Sequence, residues 1–450
     1  MRKFFLILAG LSVLGLTACK KDGPVTTGTD ELDKELTALL EMASNGEGKA
    51  FFTMPDATDF DKIPQDPNNP LTTEKVNLGK LLYHETALSI NAKTDLMIGT
   101  YSCATCHFAQ GGFAACKPQG IGDGGMGFGD SGESREKSPI ASVEDIDVQT
   151  IKTPSSMNDA YQTVTLWSGA LGGVDVNIGT EANWTVGSPK ENNNMGFHGL
   201  ETQAIAGLKV HRLGIDPTFI DTTEYKELFD AAFPSVDISE RYTRKYAGLA
   251  IAAYERTLLS NQAPFQKWLK DDAQAMSKVE KEGAILFFGK AGCVECHTGP
   301  ALNSMTFYGL GMNDLYMIPG VFLADAQSVT NLGRGGFTQR TEDMFKFKTP
   351  QLYNLEDSPH YGHGSSFNTI REVVEYKNIG LPQNEHVIPA QLASAFKSLE
   401  LSTLEITQLT EFLKKALKDD DLIRYTPSQL PSGNCFPNND PLSKLEMGCD

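Results

Sequence analysis

Positive charge is in short supply in this chain: 39 Lys and Arg stand against 57 Asp and Glu, a formal charge of −18 over 450 residues. That deficit argues against nucleic acid and anionic membrane surfaces as partners. Long apolar runs are also missing. Beyond the first twenty residues nothing offers the uninterrupted stretch that a membrane-spanning helix needs. No series of alternating apolar and polar residues marks a strand-built core, so the class is mainly α.

The N-terminus carries the one strongly apolar segment. Arg2 and Lys3 precede a run from Phe4 to Leu16, which ends in Leu16-Thr17-Ala18-Cys19. This describes a secretory signal over residues 1–18, too short to cross a bilayer. A Cys placed directly after the small residues resembles the bacterial lipoprotein box. Cys19 is then the lipidated first residue, and the lipid is the only membrane attachment. Lys20-Lys21-Asp22-Gly23-Pro24 begins a tether, and residues 19–54 are expected to hold it and one helix, which either packs on the body or belongs to the tether. The mature chain is expected to be exported and anchored in the cell envelope, facing the periplasm or held at the outer membrane.

Of eight Cys, four fall into two identical patterns, Cys103-Ala104-Thr105-Cys106-His107 and Cys293-Val294-Glu295-Cys296-His297. Two thiols three positions apart reach both vinyl groups of one porphyrin, and the adjacent His points under the ring as an iron ligand. One such motif is open to reading as a redox dithiol or half a zinc site. Two copies in an exported chain point to two covalently bound haem c groups, with His107 and His297 on the irons. Cys435 and Cys449 flank a Pro/Asn-rich tail and are placed to close a disulfide loop, as an oxidising compartment permits. Cys116 is left free.

Helical patterning is expected over residues 31–43, 73–83 (capped by Thr73), 200–210, 224–233, 241–259, 279–288, 369–376 and 403–417. Long Gly-, Asn- and Ser-rich segments lie between. Both halves follow one plan: a helix, then Gly or Lys, then CxxCH. The expected fold is two cytochrome c-like haem domains in tandem with long irregular loops. Their spans are read as 55–235 and 236–425, with a tail over 426–450.

Further motifs follow in order: Leu78-Gly79-Lys80-Leu81-Leu82-Tyr83, Thr153-Pro154-Ser155-Ser156-Met157-Asn158, Leu166-Trp167-Ser168-Gly169 and Glu255-Arg256-Thr257-Leu258. After them come Gly289-Lys290-Ala291-Gly292 and Phe347-Lys348-Thr349-Pro350-Gln351-Leu352-Tyr353-Asn354, with His363 beyond. Together with the two CxxCH motifs they resemble the bacterial dihaem cytochrome c peroxidases and their MauG-type relatives. The resemblance implies that the haem on His107 reacts with hydrogen peroxide while the haem on His297 relays electrons, with Trp167 between them. It also implies a small cytochrome c or copper protein as electron donor, with which the acidity of the chain is compatible, and a homodimer.

Several positions depart from the family pattern. The loop from Gly120 to Gly129 has no His to cap the first iron; Met126, its one alternative donor, reads as packing. The first haem is therefore expected to be open without reductive activation. The family's distal Glu is also missing. Gln203 followed by His211-Arg212 supplies a base and a positive donor in its place, provided a turn lets both reach the iron. At the sixth-ligand position of the second haem stand Tyr376 and Lys377, Tyr376 being the MauG-like choice. Lys152 replaces the Asn that precedes Thr-Pro at the family's calcium site. An ammonium cannot be a metal ligand and stands in for the cation's charge, which places calcium in doubt. A peroxidase is the favoured function. A MauG-type oxidase acting on a partner protein or organic substrate comes next, and a non-catalytic electron carrier last.

Overall fold

The computed structural model describes residues 28–449. The signal segment, Cys19 and the start of the tether lie outside the described residues. Helices and single 3-10 turns dominate. The strands form two antiparallel ladders, Gly125–Met126 with Glu136–Lys137 and Phe307–Tyr308 with Phe347–Lys348.

Each half is built on two crossed helices. In the first, the Thr73–His84 helix begins where the Thr72 side chain accepts a hydrogen bond from the Lys75 N–H, so Thr72, not Thr73, is the cap. Leu78, Leu82 and Tyr83 face inward and are fully buried, and each Leu contributes about 2 kcal/mol by leaving water. This helix crosses Arg244–Arg256 so closely that a Cβ on Gly79 would lie 1.8 Å from the Ala250 carbonyl oxygen. The second half repeats the device. The Lys278–Phe288 helix opens with a Ser277/Glu280 capping box. It meets Thr403–Glu411 at Gly283, where a Cβ would lie 2.1 Å from the Gln408 carbonyl oxygen. A wider helical turn, Phe412–Ala416, extends that closing helix.

The cores do not divide where the sequence suggested. Phe233, Ala247, Tyr254 and Leu258 all belong to the apolar cluster around Leu78 and Leu82. The first half therefore runs past the expected boundary at 235, because the Arg244–Arg256 helix closes it. Leu36, Leu40, Phe52 and Leu71 join the other cluster, with Phe265, Phe287 and Phe412. The Gly28–Ala43 helix is thus part of the second half's core rather than of the tether. Asp33 anchors it by accepting from the Trp268 indole N–H and by pairing with buried Lys281, each at 2.7 Å. The tail returns to the first half. There the Pro437 carbonyl accepts from the Ser102 and Thr105 hydroxyls at 3.1 Å, and Asp440 pairs with buried Arg135 at 3.2 Å. Cys435 and Cys449 are disulfide-bonded, and the half-buried Cys116 thiol donates to the Asp357 carbonyl.

Candidate redox centre

Both CxxCH segments fold as a single 3-10 turn, Cys103–Thr105 and Cys293–Glu295. The N–H of each following His closes back on the first Cys carbonyl, at 3.2 Å for His107 and 2.9 Å for His297. His107 Nδ1 lies 3.2 Å from the Phe113 carbonyl oxygen, and His297 Nδ1 lies 3.1 Å from those of Leu302 and Pro350. A carbonyl only accepts, so Nδ1 carries the proton in both rings and Nε2 keeps its lone pair. Burial holds both imidazoles neutral, at about 4. It also pushes the Cys103 and Cys106 thiols up to about 12, opposite to the thiolate that a reactive dithiol needs. Neutral, pre-oriented imidazoles beside paired thiols fit haem at both places.

A second motif recurs in both halves. Thr153-Pro154 and Thr349-Pro350 take equivalent places, and each motif ends on an Asn in the left-handed region, Asn158 and Asn354. The Lys before each Thr-Pro reaches across: the Lys152 N–H donates to the His363 carbonyl, and the Lys348 N–H to the Trp167 carbonyl, both at 2.8 Å. Trp167 and His363 occupy matching loops, closed by the bridges Thr165–Leu171 and Tyr361–Phe367. The Trp167 indole N–H donates to the Lys152 carbonyl at 2.9 Å. The two rings meet edge to face, and His363 stacks on Phe347 at 3.6 Å. A cavity of about 340 Å³ runs from Trp167 and Gln203 to Cys293, Cys296 and His297.

Lys377 lines this cavity and Tyr376 does not. The Tyr376 ring packs between Phe367 and Phe396, and its hydroxyl donates to the Leu310 carbonyl at 2.5 Å. Met312, which no motif marked, also lines the cavity.

At the first motif, Gly120 touches Cys106; a Cβ there would lie 2.9 Å from its Sγ. Two residues on, a Cβ on Gly122 would meet Asp147 Oδ2, the oxygen that holds His211 Nδ1 at 2.8 Å. His211 ends the Gly199–Val210 helix, and Arg212 follows in the left-handed region at φ 57°. This is the turn that lets adjacent residues diverge. Arg212 donates to Asp123 and to the Asp145 carbonyl. The backbones of Asp123 and Asp147 are joined at 2.9 Å, so two neighbouring carboxylates hold two neighbouring cations. Burial opposes a charged His211, but the Asp147 carboxylate overrides it and its pKa is raised. The His211 side chain is 41% exposed. Gln203, on the same helix, lines the cavity at Trp167 instead, and His211 does not, so the structure does not bring these two together.

The Lys152 ammonium is itself in a cage. It donates to the carbonyls of Ala115 and Lys117 and to the Ser358 hydroxyl, the last two at 3.0 and 3.2 Å. A calcium ion does not fit here, because a side-chain cation already holds these oxygens. Lys152 was legible from its place before Thr-Pro, but Asp147, Met312 and the oxygens around the Lys152 ammonium were not. Each is brought in from a loop distant in sequence, and none has a spacing signature.

Two pre-oriented imidazoles, each beside a pair of thiols, are the mark of a two-centre redox protein. Residues 73–274 match the model of the di-haem cytochrome c peroxidase family. A cytochrome-c peroxidase of Denitromonas iodatirespirans is 27% identical over 411 residues, 87% of this chain and 94% of that protein. The methylamine utilization protein MauG of Methylorubrum extorquens is 27% identical over 418 residues, 92% of this chain and 94% of that protein. A MauG-like protein associated with microbial copper homeostasis shares the fold, with TM-score 0.56 and 23% identity, covering 82% of this chain and 96% of that one. Residues 73–274 thus carry the pattern of the di-haem cytochrome c peroxidases, and the chain is similar over most of its length to cytochrome-c peroxidases and MauG, as a peroxidase-type oxidoreductase. No helix among the described residues is long and apolar enough to cross a membrane.

Proposed function

We propose that this chain is a periplasm-facing, lipid-anchored dihaem peroxidase, built of two cytochrome c-like halves. It reduces hydrogen peroxide to water with electrons from a small redox protein. The observation that carries the reading is the paired geometry of His107 and His297. Each has Nδ1 spent on a backbone carbonyl and Nε2 free, and the halves between them are joined by Trp167 and His363. Cys103 and Cys106, and Cys293 and Cys296, would hold the haems through thioethers, and the bound haems supply the redox chemistry.

The chain's own residues then have separable tasks. His211, its Nδ1 fixed by Asp147, presents Nε2 to take a proton from peroxide and return it to the departing oxygen. Arg212 is committed to Asp123 and the Asp145 carbonyl, so it braces the loop that carries Gly120 and Gly122. Trp167 conducts between the halves, aligned by its bonds to Lys152 and Lys348. Lys377 is the candidate sixth ligand at the His297 side, with Met312 second; Tyr376 is spent on Leu310.

Steady-state peroxide consumption by holoprotein with a reduced small cytochrome tests this reading. Turnover that depends on both reactants supports it. Peroxide reactivity without use of the donor would favour the MauG-type alternative, and no reaction with peroxide would leave an electron carrier.

A further inference from the structure

Three polar side chains beside Trp167 have no task in that reaction. Asp159, Gln162 and Lys348 are each 6% exposed and line the cavity that holds His297. Gln162 spans the other two: its amide N–H donates to the Asp159 carboxylate, and its amide oxygen accepts from the Lys348 ammonium. Lys348 stands where Lys152 stands in the other half. The Lys152 cage is made of neutral oxygens, whereas the Lys348 side holds a carboxylate.

A carboxylate and an ammonium held apart by an amide in a buried site compensate each other poorly. Burial pushes the Asp159 carboxyl up to about 7, against the pull of Lys348 and Arg256, and pushes Lys348 down to about 8. The other groups facing Asp159 do not fix its charge. Glu255 is buried with one carboxyl oxygen unpartnered, and burial together with Asp159 and Glu201 keeps its pKa far above the carboxylate range. Arg256 is committed to Glu201 by bonds of 2.9 and 2.7 Å. A unit change of charge in the same cavity therefore acts on a site poised between two protonation states.

We propose that Asp159, linked through Gln162 to Lys348, is a proton-loading site coupled to electron entry beside His297 and Trp167. The inference rests on His297 holding a haem. One electron arrives from the redox partner and one proton from solvent. The Asp159 carboxylate becomes a carboxylic acid, and no other bond changes. The pair passes from net zero to +1, which offsets the added electron. When the electron moves on past Trp167, Asp159 gives the proton back, and reduction of peroxide consumes protons and electrons in equal number.

The test is a spectroelectrochemical titration of holoprotein across neutral pH, with haem content measured first. Fewer than two haems per chain would sink the underlying reading before any titration. With two bound, the potential of the His297-side haem is expected to fall as pH rises, with proton uptake approaching one per electron. Asp159→Asn is expected to abolish the slope, and Asp159→Glu to restore it. Lys348→Met should move the sloping region to higher pH, because the positive charge that favours the carboxylate is gone. A wild-type potential independent of pH, or a slope unchanged in Asp159→Asn, overturns the proposal. Should Asp159→Asn not assemble, Lys348→Met and Gln162→Leu decide: an unmoved slope in both is equally fatal.

Discussion

Trp167 and His363 stand at equivalent places in the two halves, and their rings meet edge to face at 6.4 Å and 70°. Each carbonyl is held by the Lys of the opposite motif, His363 by Lys152 and Trp167 by Lys348. The contact is thus fixed by backbone from both sides. Trp167 combines a large, oxidisable ring with a wall position between the motifs. Trp167→Phe should keep both haem spectra and slow reduction of the first haem at least tenfold, about 1.4 kcal/mol on the barrier. Stopped-flow reduction through the donor measures this; a wild-type rate would remove Trp167 from the path.

Asp147 decides when His211 is a base. Its carboxylate raises the His211 pKa, so the neutral, proton-accepting form is available only above that raised value and is lost as pH falls. Asp147→Asn removes the opposing charge. The acid limb of the peroxide reaction should move to lower pH, and the plateau should drop about tenfold as ring orientation is lost. His211→Ala should cost about a hundredfold, in the range for a general base. The pH profile of the rate of peroxide binding distinguishes them. An acid limb at the same pH in Asp147→Asn would show that another group titrates there.

Lys377 and Tyr376 make opposite predictions. Lys377→Ala should change the optical and EPR signature of the low-spin haem, while Tyr376→Phe loses only a hydroxyl bonded to Leu310 and should leave it intact. If Tyr376→Phe alters the spectrum and Lys377→Ala does not, the assignment is reversed. A change only in Met312→Leu would give the position to sulfur.

Lys152 should make the inter-haem region indifferent to chelators. EDTA is expected to leave haem spectra and turnover as they are, since the ammonium fills the oxygen cage. Lys152→Met strands the Lys117 carbonyl and part of the Ala115 cage, at a cost of about 1–3 kcal/mol for buried acceptors left unpaired. Thermal unfolding of holoprotein reads that loss. An unchanged transition in the variant, with activity that EDTA abolishes in the wild type, would contradict the cage.

Much of this architecture is written locally. Leu78 and Leu82 sit one turn apart after a Thr cap, and Glu280 follows Ser277 at capping-box spacing, so helix positions follow from contacts within a few residues. Each CxxCH turn is likewise complete in itself, with thiols and imidazole inside one five-residue segment. The family motifs are runs of this kind, which is why they were legible in the linear chain.

The sequence by itself determined where the haem-binding turns lie, that the framework is helical, and that Cys435 and Cys449 are close enough in the chain to join. Tertiary structure alone decided the rest. One residue of helix rotation puts Lys377 in the cavity and Tyr376 outside it. A loop some sixty residues away brings Asp147 to His211, and the Gly28–Ala43 helix joins the second core rather than the tether. Local order is set by torsions and hydrogen bonds between near neighbours, which spacing records. The partners of a buried charge are chosen by packing of distant segments, for which spacing carries no signal.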